Sequence, residues 1–388
     1  MPSIAEQLSG VLGDAFASLE LPRELGRVTP SKQNPEVFPF QCNGAMPAAK
    51  QAGKPPREIA QAVLERIQGD ALIDKAEIAG PGFINLLPAT AAINARAAEI
   101  ASDERAGAAA TGNPRKIMID FGGPNVAKPM HVGHLRSSVL GDSLQRLFRF
   151  RGDEVISDIH LGDWGLQMGH LITELESEQP DLPYFDPDFD GEYPSEPPVD
   201  IEDLARLYPQ ASKKAKDDPE RLAVSRKATA ELQAGRKGYR TLLRHFIDVS
   251  VAALKKDFDA LGVHFDLWKG ESDVHDLIDG LVADFKARGV AEESDGAWVV
   301  RVAREDDKKD LAPLILVTSE GSSLYGTTDL ATILDRKQSV GPDLTLYVVD
   351  LAQSDHFEQV FRAADKAGLA PEGSLEHVKF GTVNGKDG

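Results

Sequence analysis

Apolar residues recur every three or four positions through Ile4, Leu8, Val11, Leu12, Ala15, Phe16 and Leu19, the spacing that gives a helix a single apolar face. A second such face runs through Ile59, Val63, Leu64 and Ile67. Between and after them the pattern shortens to β-like runs, the last being AEIAGPGFINLL around a Pro-Gly turn. A helix from Ala91 then leads into ERAGAAATGNPRK, whose small and turn-forming residues read as a linker. Residues 1–112 are therefore expected to form a small α/β domain with its linker.

Beyond the linker, KIMIDFGG from Lys116 reads as a buried strand ending in glycines. Leu135, Val139, Leu140, Leu144, Leu147 and Phe148 then mark a helix face, with Gly152 where a C-terminal cap belongs. EVISDIHLGDWG is a further strand and a glycine-rich turn. Strand, helix, strand is the unit of a parallel sheet, and ligands of such sheets bind at the strands' carboxyl ends. From about Glu176 the texture changes to the acidic, proline-rich PDLPYFDPDFDGEYPSEPPVD, expected as a surface excursion. Long helical patterns follow, including RTLLRHFIDVSVAALKKDFDALG. The β character returns in AWVVRV, LILVTSEGSSLYGTTDLA and LTLYVVDLAQSDHF. The order predicts an α/β chain with a Rossmann-like parallel sheet: residues 113–175 its first half, 176–310 a mainly helical insertion, and 311–388 its second half.

Composition narrows the setting. Hydrophobic residues make up 41% and charged residues 27%, which suits a globular protein, and no apolar run reaches membrane-spanning length. The single cysteine, Cys42, has no internal partner, and MPSIAEQLSGVLGDAFASLE lacks the basic start and apolar run of a signal peptide, so a cytoplasmic protein is expected. A net charge of -19 repels polynucleotides in bulk and confines any contact to local basic patches. Candidates are RKGYR, from Arg236 to Arg240, and Lys213 with Lys214, although most such runs are solvated helix faces.

The chemistry concentrates in PNVAKPMHVGHLRSSVLGD. His131 and His134, three apart at a helix start, can point at one ligand, and Gly133 between them leaves room for a flat base or a phosphate. The free amides of the first turn also favour anionic oxygens. The plainer alternative is that both histidines merely cap the helix. A metal site would add His160 and Asp163 as ligands, but the spacing matches no familiar zinc pattern and one cysteine offers no thiolate cluster, so no protein-held metal is expected.

The run DFGGPNVAKPMHVGHLRSSVLGDSLQRLFRFRG, followed by DIHLGDWGLQMG, resembles the first signature region of class I aminoacyl-tRNA synthetases, and of arginyl-tRNA synthetase in particular. HVGH stands where that family carries HIGH. GVHFDLWKGES, LYGTTDLA, YVVDLAQSDHFEQV and HVKFGTVNG keep the same order along the chain, and the segment ending in GPGFINLL is similar to the N-terminal domain with which that family touches the tRNA elbow. The resemblance implies ATP-dependent activation of L-arginine to arginyl-adenylate and transfer to tRNA(Arg), with Mg2+ arriving on ATP, in a cytoplasmic monomer without membrane partners. It places Lys128, His131, Gly133, His134, Gly381 and Val383 around ATP, with His131 and His134 catalytic. It places Asp120, Asn125, His131, Tyr325, Asp329 and Gln353 around arginine.

Arginine's carboxylate is already ionised at neutral pH, so its attack on phosphorus needs no general base. A guanidinium offers donors only, and Tyr325 and Asp329, four apart, share one helical face from which to accept them. The residues after FGTVNGKDG that would carry the family's second signature loop and its anticodon-reading helical domain are not in this sequence, which implies an impaired ligase on its own. Gly122-Gly123 also departs from the small polar residues of many relatives. Two other readings compete: a different HxGH nucleotidylyltransferase, and a non-catalytic portion that binds arginine, ATP or tRNA.

Overall fold

A computed structural model describes residues 2–381 apart from Gln33 and Glu320. The chain divides into two compact units, Met1–Ala110 and Thr111–Gly388. In the first, helix α1 (Ile4–Ala17) starts at a Ser3 cap, whose hydroxyl accepts from the Glu6 amide while the Glu6 side chain returns the bond, and it buries Leu8, Leu12, Ala15 and Phe16. Strands β1 (Val28–Pro30) and β2 (Phe40–Cys42), helices α2 (Ala45–Ala52) and α3 (Pro56–Ile67), the hairpin β3 (Ile73–Ala79) and β4 (Phe83–Pro88), and helix α4 (Thr90–Ser102) complete it. Its antiparallel sheet runs β1-β2-β4-β3, and the apolar face of α3 joins α1 in one core with Ile84 and Leu86 of β4.

The second unit begins with β5 (Lys116–Phe121), α5 (Val132–Arg151) and β6 (Glu154–Asp158). Helices α6 (Leu166–Glu178), α7 (Ile201–Asp217), α8 (Pro219–Gln233), α9 (Lys237–Leu261) and α10 (His275–Ala287) follow, then β7 (Glu292–Ser294), β8 (Ala297–Val300), β9 (Leu314–Val317), α11 (Tyr325–Ser339), β10 (Leu344–Asp350), α12 (Ser354–Lys366) and β11 (Leu375–Phe380). Four parallel strands in the order β11-β10-β5-β6 form the central sheet. Buried Glu174 of α6 ties the helical region together by accepting from Lys214 of α7 and Arg221 of α8 at 2.5 and 2.9 Å.

Two expectations need correction and a third gains a detail. The apolar positions of α5 form only part of its inward face: Leu144 and Phe148 pack against the core, but Val139 and Leu147 are 51% and 61% exposed, while Ser137, Ser138, Gly141, Asp142 and Gln145 are buried. The helix lies so close to the sheet that a Cβ at Gly141 would sit 2.1 Å from the Phe121 ring, and only small residues, or polar ones with partners, fit that gap. The Ser137 hydroxyl donates to the Val348 carbonyl at 2.6 Å and accepts from the Gly122 amide at 2.9 Å. The run Leu314–Val317 is a strand, but it pairs in a separate antiparallel sheet, β7-β8-β9. The proline-rich stretch lacks helix and strand yet is anchored, because Tyr184 is buried and its hydroxyl meets His245 Nε2 at 3.1 Å.

Candidate active site

From β5 the chain passes through α5 to β6 on one side of the sheet, and from β10 it passes through α12 to β11 on the other. The crevice between β5 and β10 is thus the topological switch point, where open parallel sheets bind their ligands. A cavity of about 310 Å³ opens there, lined by Asp120, Gly122, Gly123, His160, Asp329 and the end of β10. Another, of about 430 Å³, is lined by Asn125, Gln167, Tyr208, Glu271 and Tyr325.

His131 is the N-cap of α5. Its Nδ1 accepts from the Gly133 amide at 3.1 Å, His134 Nδ1 accepts from the His131 amide at 3.3 Å, and the rings stack 3.9 Å apart. A ring nitrogen that accepts carries no proton, so both imidazoles take the Nε2–H tautomer. Neither Nε2 has a partner among the described residues, which leaves two aligned donors for a ligand. Burial, with the neighbouring His131 and Lys128, pushes His134 down to about 4, so it is neutral at pH 7. Capping and ligand binding are therefore not alternatives here, since each ring divides them between its two nitrogens. Gly133 answers to His131: a Cβ there would stand 2.8 Å from the His131 ring.

The loop leading to this turn holds unusual backbone. Gly122 and Gly123 take φ of +89° and +47°, left-handed values that favour glycine. Ala127 and His160 take φ of +67° and +46° without that freedom. Tertiary bonds hold the first of these in place: the Ala127 amide donates to Ser250 Oγ of α9 at 2.9 Å, and the Val126 amide donates to the Gly162 carbonyl at 3.0 Å. Lys128 Nζ lies over the Tyr208 ring, 4.7 Å from its centroid. The Gly381 carbonyl accepts from Arg136 of α5, and Val383 lies outside the described residues.

Tyr325 opens α11 and is 65% exposed, and Asp329 stands one turn further on. Asp329 Oδ2 accepts from His356 Nε2 at 2.5 Å, and the Tyr325 ring lies 4.7 Å from the His356 ring. Asn125 lines the same cavity as Tyr325, whereas Gln353 is exposed ahead of α12 and lines neither cavity. Asp120 is 8% exposed, and its Oδ2 accepts from Nη2 of Arg336 at 2.7 Å. The same Nη2 reaches Asp158 Oδ2 at 2.8 Å. Burial pushes the Asp158 carboxyl up, but Arg336 and His160 outweigh it and hold it below its usual value.

Sequence reasoning missed Glu271, His356 and Arg336. Burial raises the Glu271 carboxyl to about 7, with the charges of Asp163 and Asp329 adding to the rise and His160 opposing it. No local pattern marks Glu271: it is delivered by long-range pairing of Leu267 with Asp158 and of Gly270 with Leu161. Asp163 accepts from the Ser272 amide and hydroxyl at 2.8 and 2.5 Å. Three cations of the basic patches are engaged within the chain. Arg236 pairs with Glu231, Arg240 lies over Trp164 at 4.4 Å, and Lys214 holds Glu174.

A family model described as "tRNA synthetases class I (R), catalytic domain" matches residues 97–388, and one described as "Arginyl tRNA synthetase N terminal domain" matches residues 3–87. The chain is 80% identical over 388 residues to an "Arginine--tRNA ligase" of Maricaulis maris and 60% identical over 390 residues to one of Hyphomonas neptunium, spanning 66% of the length of each. Among solved structures it superposes on an arginyl-tRNA synthetase of Plasmodium falciparum with a TM-score of 0.74 at 22% identity, covering 98% of this chain and 65% of that one. On the Thermus thermophilus arginyl-tRNA synthetase the TM-score is 0.69 at 20% identity, covering 98% and 66%. No helix among the described residues is long and apolar enough to cross a membrane.

Proposed function

We propose, for a chain that belongs to the arginyl-tRNA synthetase family of class I aminoacyl-tRNA synthetases, that L-arginine and ATP meet in the crevice between β5 and β10 and form arginyl-adenylate there. The observation that carries this reading is the pair of outward Nε2–H donors on α5 beside a cavity walled by Asp120 and Asp329. An oxygen of arginine's carboxylate bonds to the α-phosphorus, the bond from that phosphorus to the bridging oxygen breaks, and pyrophosphate leaves with the electron pair. His131 and His134 donate to oxygens that gain charge in that step, and neutral donors already in place need no reorganisation. Mg2+ enters on the triphosphate as part of the substrate, and Lys128 reaches the phosphates by leaving the Tyr208 ring.

On the amino-acid side, Asp329, Glu271 and Tyr325 accept from the guanidinium, while Asp120 and Asn125 meet the α-ammonium end. Arg336 fixes Asp120 in place through its Nη2. The following step, transfer to the terminal ribose of tRNA(Arg), is proposed on the N-terminal family match, in a cytoplasmic monomer.

Calorimetric titration of arginine, lysine and citrulline into the chain, with and without ATP, tests the reading. Arginine alone among the three is expected to give heat. Equal heats for citrulline would remove the charge recognition, and heat from ATP but none from arginine would favour a different HxGH nucleotidylyltransferase.

Glu271 adds a pH signature. A guanidinium beside this carboxyl favours its ionised form, so arginine binding is expected to release a proton in the window just below about 7. Titrations in buffers of different ionisation enthalpy measure that proton, and Glu271→Gln should abolish it. In the unliganded protein the sign is opposite. The raised carboxyl contributes stability that is complete below its ordinary value of 4.5 and lost as pH rises through about 7.

A further inference from the structure

His356 carries no role in the reaction described above, yet it touches both α11 residues of the guanidinium site from a different element, α12. Its Nε2 lies 2.5 Å from Asp329 Oδ2 and its ring 4.7 Å from that of Tyr325, while its Nδ1 is buried without a hydrogen-bond partner among the described residues. Asp329 Oδ2 is an acceptor only, so Nε2 carries the proton and donates it. Asp329 Oδ1 has no hydrogen-bond partner among the described residues. The carboxylate is therefore pinned by one oxygen and free at the other.

An unpinned, half-buried aspartate at the mouth of a cavity samples more than one rotamer, and a ligand that needs one of them bears the cost of ordering it. We propose that His356 is the positioning residue of the guanidinium site, fixing Asp329 by its Nε2–H and Tyr325 by its ring so that their free acceptors are set before arginine arrives. The role rests on arginine being the substrate. It also explains the choice of side chain: a ring is needed to pack on Tyr325 and a donor at the distance of Nε2 to reach Asp329, and histidine supplies both.

Three substitutions separate this role from a merely structural link between α11 and α12. Glutamine places an amide donor near the position of Nε2, asparagine stops one bond short, and phenylalanine keeps the ring but has no donor. His356→Phe and His356→Asn are expected to bind arginine on the order of 10- to 100-fold more weakly, the range for losing a hydrogen bond to a charged group, with ATP affinity unchanged. His356→Gln should recover most of the loss, and His356→Phe should cost little further in an Asp329→Ala background. Equal losses of arginine and ATP affinity, or a loss that persists undiminished without Asp329, would overturn the role. So would wild-type arginine affinity in His356→Phe. If the unmodified chain binds no arginine, the substrate reading itself falls, and the role with it.

Discussion

Arg336→Met is expected to cost about 3–5 kcal/mol of stability, the penalty for removing one partner of a buried ionic group. One guanidinium, 3% exposed, faces two carboxylates that are 8% and 1% exposed, so the variant leaves both Asp120 and Asp158 without their countercharge. The pH dependence should change with it. In the unmodified protein Arg336 holds Asp158 below its usual value, so Asp158 contributes stability above the ordinary carboxylate range and loses it as pH falls through the lowered value. Without Arg336, only His160 and the Lys269 amide oppose the effect of burial on Asp158, so its value rises and the deficit grows as pH rises from 4 toward 7. Denaturant unfolding of both proteins at about pH 5 and 7 measures this, and equal midpoints at pH 7 would show that the triad is not a stability element.

Asp329→Asn is expected to weaken arginine binding on the order of 100-fold or more and to erase most of the preference over lysine, because the substrate's charge loses its partner while the shape of the site is kept. A guanidinium spreads its donors over a planar fork, and the two proposed acceptors, Asp329 and Glu271, stand on different elements. Lysine's single ammonium cannot satisfy two separated carboxylates, and each acceptor left unpaired costs about 1–3 kcal/mol. Competitive calorimetry with both amino acids gives the ratio directly. A variant that keeps the ratio of the unmodified protein would move discrimination away from α11.

Much of this fold is legible in the chain because its signals are local. The apolar period of α1, the glycine-terminated run of β5 and the four-residue spacing of Tyr325 and Asp329 each depend on neighbours in sequence. The failures share a cause. On α5, Leu144 and Phe148 pack inward as the period predicts, but the sheet approaches closely enough that Gly141 and Ser137 take the centre of that face and leave Val139, Leu140 and Leu147 exposed. Glu271 and His356 reach the site through pairing and packing between distant segments, and Arg336 reads as one cation among several near the end of α11 until Asp120 and Asp158 are seen beneath it. Periodicity reports which residues avoid water. It does not report which backbones come close, or which polar group has another waiting for it.

The division of labour within the HVGH imidazoles makes helix order and proton uptake one equilibrium. Each Nδ1 that accepts from an amide of the first turn would become a donor on protonation and push that amide away. Acidification toward about 4, where His134 takes up its proton, should therefore speed hydrogen exchange at the amide of His131 while the middle of α5 stays protected. Loosening of the His131 amide and the charge of the His134 ring would then follow a single titration curve, with the backbone acting as the reporter of the side chain's charge.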